Sequence, residues 1–111
     1  MVLNQYQIVL VNLDSTIGSE MKKTRPCLII SPNEMNKYLQ TIVIAPMTTN
    51  SKPYPTRVEV KNNNTTGWVV LDQIRTIDRG RIYKCFDIIT EKEIQKIKST
   101  IQEIYVDWFQ T

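Results

Sequence analysis

The sequence predicts a mainly β fold carrying one short helix and one C-terminal amphipathic helix. Three observations carry that expectation. Short runs of β-branched and aromatic residues follow one another with turn residues between them. A helix-start pattern interrupts them at residues 31–34. From Thr90 onward the apolar spacing changes from two to three and four. Several short strands with frequent turns build a small barrel or a strongly twisted sheet. At 111 residues the chain reads as a single domain, 1–111, because two independent cores would not fit.

The elements follow in order. Residues 6–13 form a β-rich run, and 14–24 are polar, contain Gly18 and read as a long loop. Pro26 lacks a backbone donor, so it belongs at the start or edge of a strand, and 27–30 continue as a buried strand. Ser31, Pro32 and Glu34 suggest an N-cap, a first helical residue and an acidic first turn, leading a helix to about Tyr38. Residues 41–45 read as a buried strand that ends at Pro46, with a proline-rich loop over 47–55. A half-buried strand is expected over 56–60, a turn over 61–67, and strands over 68–71, 74–77 and 82–88. Thr90 and Glu93 are spaced as a capping box, and Ile94, Ile97, Ile101, Ile104 and Trp108 form one apolar helical face. Packing on the sheet is the plainer use of that face, partner binding the alternative.

Composition narrows the chemistry. There is no histidine, which removes Ser-His-Asp triads, Cys-His pairs and histidine acid–base chemistry. The eleven carboxylates are scattered, so no metal is expected, and three separated glycines cannot build a phosphate loop. Cys27 and Cys85 stand in apolar contexts and read as buried free thiols. No basic leader precedes an apolar stretch and no run approaches membrane-spanning length, so the expected location is the cytoplasm. The net charge of +3 is modest, but Arg75, Arg79, Arg81 and Lys84 fall close together against Asp78 alone. A polyanionic partner fits that segment, as does a solvated strand face.

The run Leu13-Asp14-Ser15-Thr16-Ile17-Gly18-Ser19-Glu20-Met21-Lys22-Lys23-Thr24-Arg25-Pro26 resembles the signature of the MazF/PemK toxins. Ile29-Ile30-Ser31-Pro32, Ala45-Pro46-Met47-Thr48-Thr49, Tyr54-Pro55-Thr56 and Leu71-Asp72-Gln73-Ile74-Arg75-Thr76-Ile77-Asp78 are similar to its later blocks, in the same order and spacing. The resemblance spans roughly residues 6–107. Two places depart from it: Tyr6-Gln7-Ile8-Val9 replaces the usual opening, and Ser15 stands for the loop proline.

The resemblance implies an SH3-like twisted barrel of the CcdB/PemK type and a homodimer. It implies a cofactor-free, sequence-selective endoribonuclease acting on single-stranded RNA, the toxin of a type II toxin–antitoxin pair. Products with 2′,3′-cyclic phosphate and 5′-hydroxyl ends follow if the RNA's own 2′-hydroxyl attacks. Arg25 and Thr48 match the catalytic arginine and threonine. A guanidinium fork suits phosphoryl oxygens, and a hydroxyl can donate to the same phosphate. Glu20 would orient Arg25 or take the 2′-hydroxyl proton. Candidate RNA contacts are Ser19, Lys22 and Lys23 in the loop, Thr49, Tyr54 as a base-stacking aromatic, Gln73, and Arg75, Arg79 and Arg81 for phosphates. Asp72 reads as a brace for the fold. The implied antitoxin carries an acidic disordered segment that covers the substrate groove. Two rivals stay open at this point: a gyrase-poisoning toxin that does not cut RNA, and a nucleic-acid-binding module on the same fold.

Overall fold

The computed structural model of the chain describes residues 1–13, 24–62 and 65–107. Its strands are β1 (Gln7–Asn12), β2 (Thr24–Ile29), β3 (Thr41–Thr48), β4 (Arg57–Asn62), β5 (Thr65–Val70), β6 (Arg75–Asp78) and β7 (Ile82–Ile88). The helices are α1 (Asn33–Tyr38) and α2 (Glu91–Tyr105). All the pairings are antiparallel, in the order β4-β5-β3-β2-β1-β7, with β6 also paired to β3. This is the expected mainly β architecture, a curled antiparallel sheet with a short and a C-terminal helix.

Strand β3 is the hub. One of its edges pairs with β2. Its other edge pairs with β6 over residues 41–44 and with β5 over Met47 and Thr48. Pro46 falls in the interval between those two partners. The strand therefore runs on to Thr48 instead of stopping at Pro46 as the sequence suggested. A residue without an N–H is tolerated where one ladder ends and the next begins.

Alternation along the strands splits the apolar residues between two faces. Ile8, Leu28, Ala45 and Met47 join Val58, Val60, Val69 and Leu71 in one buried cluster. Val9, Val11, Cys27, Ile29, Ile42 and Ile44 join Ile77 and Ile82 in the other. Helix α2 covers the first cluster: Ile97 is fully buried, and Ile94, Ile101 and Ile104 pack beside it. Burying one isoleucine side chain stabilises by about 1.5–3 kcal/mol, so this face is the main attachment of the helix. The capping box forms as expected, with Thr90 Oγ1 accepting from Glu93 N–H and Glu93 Oε1 accepting from Thr90 N–H at 2.9 Å. Trp108, placed on the same face by its spacing, lies outside the described residues.

Several local expectations are corrected. Ser31 is not the cap of α1; Pro32 holds that position without a side-chain cap. The Ser31 hydroxyl instead accepts from Val43 N–H at 3.1 Å and donates to Asn36 Oδ1, while Asn36 Nδ2 donates to the Ser31 carbonyl at 2.8 Å. Asn36 is buried, so this tertiary exchange outcompetes a local cap. β2 begins at Thr24, and β4 and β5 reach further into the expected 61–67 turn. The predicted strand 74–77 appears as β6, shifted by one residue.

Tyr6 is the residue with positive φ, 67°, among the described non-glycine residues. It is held from both sides: its N–H donates to Ile29 O at 2.8 Å and its carbonyl accepts from Ile89 N–H at 3.0 Å. Such a conformation costs about 1–3 kcal/mol in a non-glycine residue, so it persists only where neighbours fix it. Among the described residues, no helix is long and apolar enough to cross a membrane.

Candidate active site

The β2–β3 ladder pairs Ile29 with Ile44, Leu28 with Ala45 and Cys27 with Pro46. Extending that register by two residues sets Arg25 opposite Thr48. The ladder proper stops at Cys27 and Pro46, since Pro26 has no N–H to continue it. Arg25 is exposed and Thr48 half-buried. Both line a cavity of about 470 Å³, together with Thr49, Thr24 and Thr66 and an apolar wall that includes Leu10, Met47 and Phe86. The two residues singled out for chemistry thus meet at the border of one concave surface.

The Arg25 carbonyl accepts from Cys27 Sγ at 3.6 Å, but its side chain has no hydrogen bond or ion pair with any other described residue. Its guanidinium therefore offers its full set of donors outward. Thr48 Oγ1 accepts from Asn50 N–H at 3.3 Å and donates to Asn50 O at 3.4 Å. Both contacts are long, and a phosphate oxygen would compete well for the hydroxyl proton.

Arg25 also shares its pleat face with Cys27. Burial pushes the Cys27 thiol up to about 12, with the positive charges of Arg25 and Arg75 acting in the opposite direction. A thiol so buried is an inert core group. Arg75, on β6 opposite Ile44, does not line the cavity. Among the described residues, no three His, Cys, Asp or Glu side chains stand together as metal ligands.

The remaining candidates separate. Thr49 joins the cavity. Tyr54 is exposed on the loop after β3, away from the cavity wall, and its ring is stacked by the Arg57 guanidinium at 4.9 Å. Gln73 is exposed at the end of the 3-10 turn Leu71–Gln73. Asp72 in that turn braces the fold: it accepts from Thr56 Oγ1 at 2.8 Å and pairs with Arg57 Nε at 3.7 Å. Arg79 is committed elsewhere, donating to Leu39 O at 3.0 Å and Asn36 O at 2.9 Å, where it closes the C-terminal end of α1. Arg81 donates to Asn12 O at 3.3 Å, which ties it to the end of β1. Glu20, Ser19, Lys22 and Lys23 lie outside the described residues.

Two contributors escaped the sequence reading. Phe86 reads as a β7 core residue, yet it walls the cavity, with Lys84 Nζ 5.2 Å from its ring centre. Gly67 fell in the expected turn, yet it sits inside β5 and lines the cavity, where an added Cβ would stand 3.0 Å from Met47 Cε. The available signal for it was a glycine directly before Trp68, which marks a close approach within a strand.

The sheet and its cavity describe a small antiparallel β protein with an arginine and a threonine on one concave surface. The same fold recurs in the MazE–MazF complex of Deinococcus radiodurans, with a TM-score of 0.78 at 21% identity over 94% of this chain and 96% of that one. It recurs in an endoribonuclease in complex with its cognate antitoxin from Mycobacterial species, with a TM-score of 0.76 at 23% identity over 90% of this chain and 91% of that one. The Endoribonuclease MazF proteins of Staphylococcus saprophyticus and Staphylococcus epidermidis are 27% and 26% identical over 106 residues, which is 90% of this chain and 88% of each relative. Residues 4–105 match the PemK-like, MazF-like toxin of type II toxin-antitoxin system, and the chain belongs to that family.

Proposed function

We propose that this chain is a sequence-selective endoribonuclease toxin that cuts single-stranded RNA and so stops translation and growth. The observation that carries the reading is that Arg25 and Thr48, at the ends of the neighbouring strands β2 and β3, both line one cavity. The names of the staphylococcal relatives support the same activity.

In the proposed reaction the RNA's 2′-hydroxyl attacks the adjacent phosphorus, and the 5′-oxygen of the next nucleotide leaves. The products are a 2′,3′-cyclic phosphate and a 5′-hydroxyl. The nucleophile belongs to the substrate, so the step needs no metal-bound water. Negative charge accumulates on the phosphoryl oxygens of the pentacoordinate species. The Arg25 fork neutralises it and the Thr48 hydroxyl donates to the same group. An arginine guanidinium is not deprotonated in proteins, so its work is electrostatic rather than proton transfer. Glu20 is assigned to orienting Arg25 or accepting the 2′-hydroxyl proton. Thr49, Tyr54, Gln73 and Arg75, with Ser19, Lys22 and Lys23, would hold the flanking nucleotides. Arg79 and Arg81 are better accounted for as structural donors.

The working form is proposed to be a homodimer in the cytoplasm, restrained by an antitoxin whose acidic segment competes with RNA for the basic surface. The solved complexes of relatives with MazE or a cognate antitoxin support a partner of that kind.

The test is to incubate the folded, antitoxin-free protein with a long single-stranded RNA in EDTA, beside Arg25→Ala and Thr48→Ala. Primer extension maps the cuts, and end chemistry is assayed directly. Discrete cuts with 5′-hydroxyl ends that fade in both variants are expected. An intact RNA would overturn the reading.

A further inference from the structure

One guanidinium gathers most of the loop that follows Thr48. Arg57, at the start of β4, donates from Nη1 to Ser51 Oγ at 2.9 Å and stacks on the Tyr54 ring at 4.9 Å. Its Nε faces Asp72 Oδ1 at 3.7 Å. That nitrogen is buried and has no hydrogen-bond partner among the described residues, so Asp72 is its electrostatic counterpart rather than a bonded one. The Arg57 backbone N–H donates to Tyr54 O at 3.1 Å, and Leu71 N–H donates to Thr56 O at 3.1 Å. Arg57 thereby joins residues 51 and 54 to Asp72 in the Leu71–Gln73 turn, and Thr56 is fastened to the same turn by Leu71 N–H and Asp72.

The placement matters because the loop begins at the proposed chemistry. Thr48 binds Asn50 through its own hydroxyl, and Ser51 is the next residue. On β5, Trp68 faces Thr48 on one side and Val70 faces Arg57 on the other, so the clasp lies two residues along and two strands across from the hydroxyl. Strand residues rise by about 3.4 Å and neighbouring strands lie about 4.8 Å apart, which puts Arg57 about 12 Å from Thr48, roughly two nucleotides' span.

We propose that Arg57 is a positioning residue: it holds the 49–56 loop, and with it Tyr54, in the shape that selects which RNA sequence is cut. The inference rests on the endoribonuclease reading. One face of the Tyr54 ring is taken by the guanidinium, leaving the other face for a base, and the ring is half-exposed for that purpose. A stacked cation also removes the freedom of a ring that would otherwise have to be ordered on binding.

The experiment uses the full-length protein and the variants Arg57→Met, Arg57→Lys, Asp72→Asn and Tyr54→Leu. Methionine keeps the aliphatic stem and deletes the fork. Lysine keeps a charge for Asp72 but loses the planar stack. Amide hydrogen exchange of residues 50–56 is measured first, then cleavage of a mixed-sequence single-stranded RNA with every cut mapped.

Arg57→Met is expected to speed exchange in the loop, raise KM about tenfold, roughly one charge-assisted contact, and spread the cuts over more sequences. The kcat at preferred sites should change far less, and Arg57→Lys should restore part of the selectivity. Tyr54→Leu should broaden the cuts in the same direction. Unchanged exchange and an unchanged cleavage pattern in Arg57→Met, with the wild type cutting normally, would overturn the inference and leave the endoribonuclease reading intact. An equal fall of kcat at every site would also overturn it, since that marks damage to the reacting centre. If the wild type itself leaves RNA whole, the endoribonuclease reading fails and the selectivity role of Arg57 falls with it.

Discussion

Arg79 donates to the carbonyls of Asn36 and Leu39 at the end of α1, whereas Arg25 donates to nothing among the described residues and borders a cavity. The side chains are chemically identical and their uses are opposite. Arg79 satisfies carbonyls that a helix end leaves open, at the negative end of its dipole. Arg25 is held by the backbone of β2 and keeps its hydrogen-bonding capacity for something not part of the chain. The difference teaches that an arginine's candidacy for function is read from where its donors go rather than from its position in a basic stretch. By that criterion Arg79, drawn from the densest basic segment, is structural, and Arg25, next to a single proline, is the arginine proposed for the chemistry.

The contrast can be tested at both ends. The largest effect is expected for Arg25→Ala: RNA cleavage should fall by about 10²–10³, the scale for losing a donor aimed at developing charge, while the melting temperature stays put because the side chain is exposed. Arg25→Lys should recover only a fraction, since an ammonium cannot offer the planar fork. Thr48→Val comes next, with a loss of about 10–10²; Thr48→Ser should retain most activity, and a loss in Thr48→Ser with none in Thr48→Val would show that the methyl group rather than the hydroxyl matters.

Arg79→Ala should behave in reverse. Stability should drop by about 1–3 kcal/mol in denaturant unfolding, from two charge-assisted bonds, with cleavage per folded molecule unchanged. A selective loss of cleavage in Arg79→Ala would break the comparison. Thr90→Ala removes the cap of α2 and should lower stability by about 1 kcal/mol, again without touching the cuts.

The smallest effect concerns pH. Asp78 is held below the usual carboxylate value, first by the Gly80 N–H and then by the Gln40 amide. Its folded pKa is depressed, so its contribution to stability is present above the unfolded value of 3.8 and is lost as pH falls through the folded one. Unfolding midpoints should therefore show a slight acid-side decline that Asp78→Asn removes. Cleavage itself should be flat between about pH 5 and 8, because no histidine is present and the Cys27 thiol titrates only near 12. A steep limb inside that range would point to a proton-transfer group with a shifted pKa, with Glu20 the first to examine.

Much of the fold was legible because its signals are local. The Thr90–Glu93 box and the isoleucines at 94, 97, 101 and 104 specify α2 without reference to any partner. What was misread depended on distant residues. Ser31 looks like a cap until Asn36 and Val43 compete for its hydroxyl. Pro46 looks like a strand end until β6 and β5 are seen to share one edge of β3 and to leave an interval there. For the site, the order of sequence blocks singled out Arg25 and Thr48, and the antiparallel pairing of β2 with β3 brings both to the lining of one cavity. Arg57 stayed hidden because a strand alternation treats an outward arginine as solvated. Only the folded loop reveals that Ser51, Tyr54 and Asp72 surround it.

Strand β2 gives Leu28 to one buried cluster and Cys27 and Ile29 to the other, and Arg25 rides at its end. A strand shared between two cores has little room to drift: a change of volume at Leu28 or Cys27 is felt on one face and transmitted to the other. The 49–56 loop is anchored by polar clasps and carries no fully buried side chain. The molecule is thereby partitioned into a rigid blade and a replaceable guide. On the proposed reading, new target preferences would be sought by recombining residues 50–56 and the partners of Arg57 while β2 and Thr48 are left untouched, which would make the fold a chassis for programmable variants.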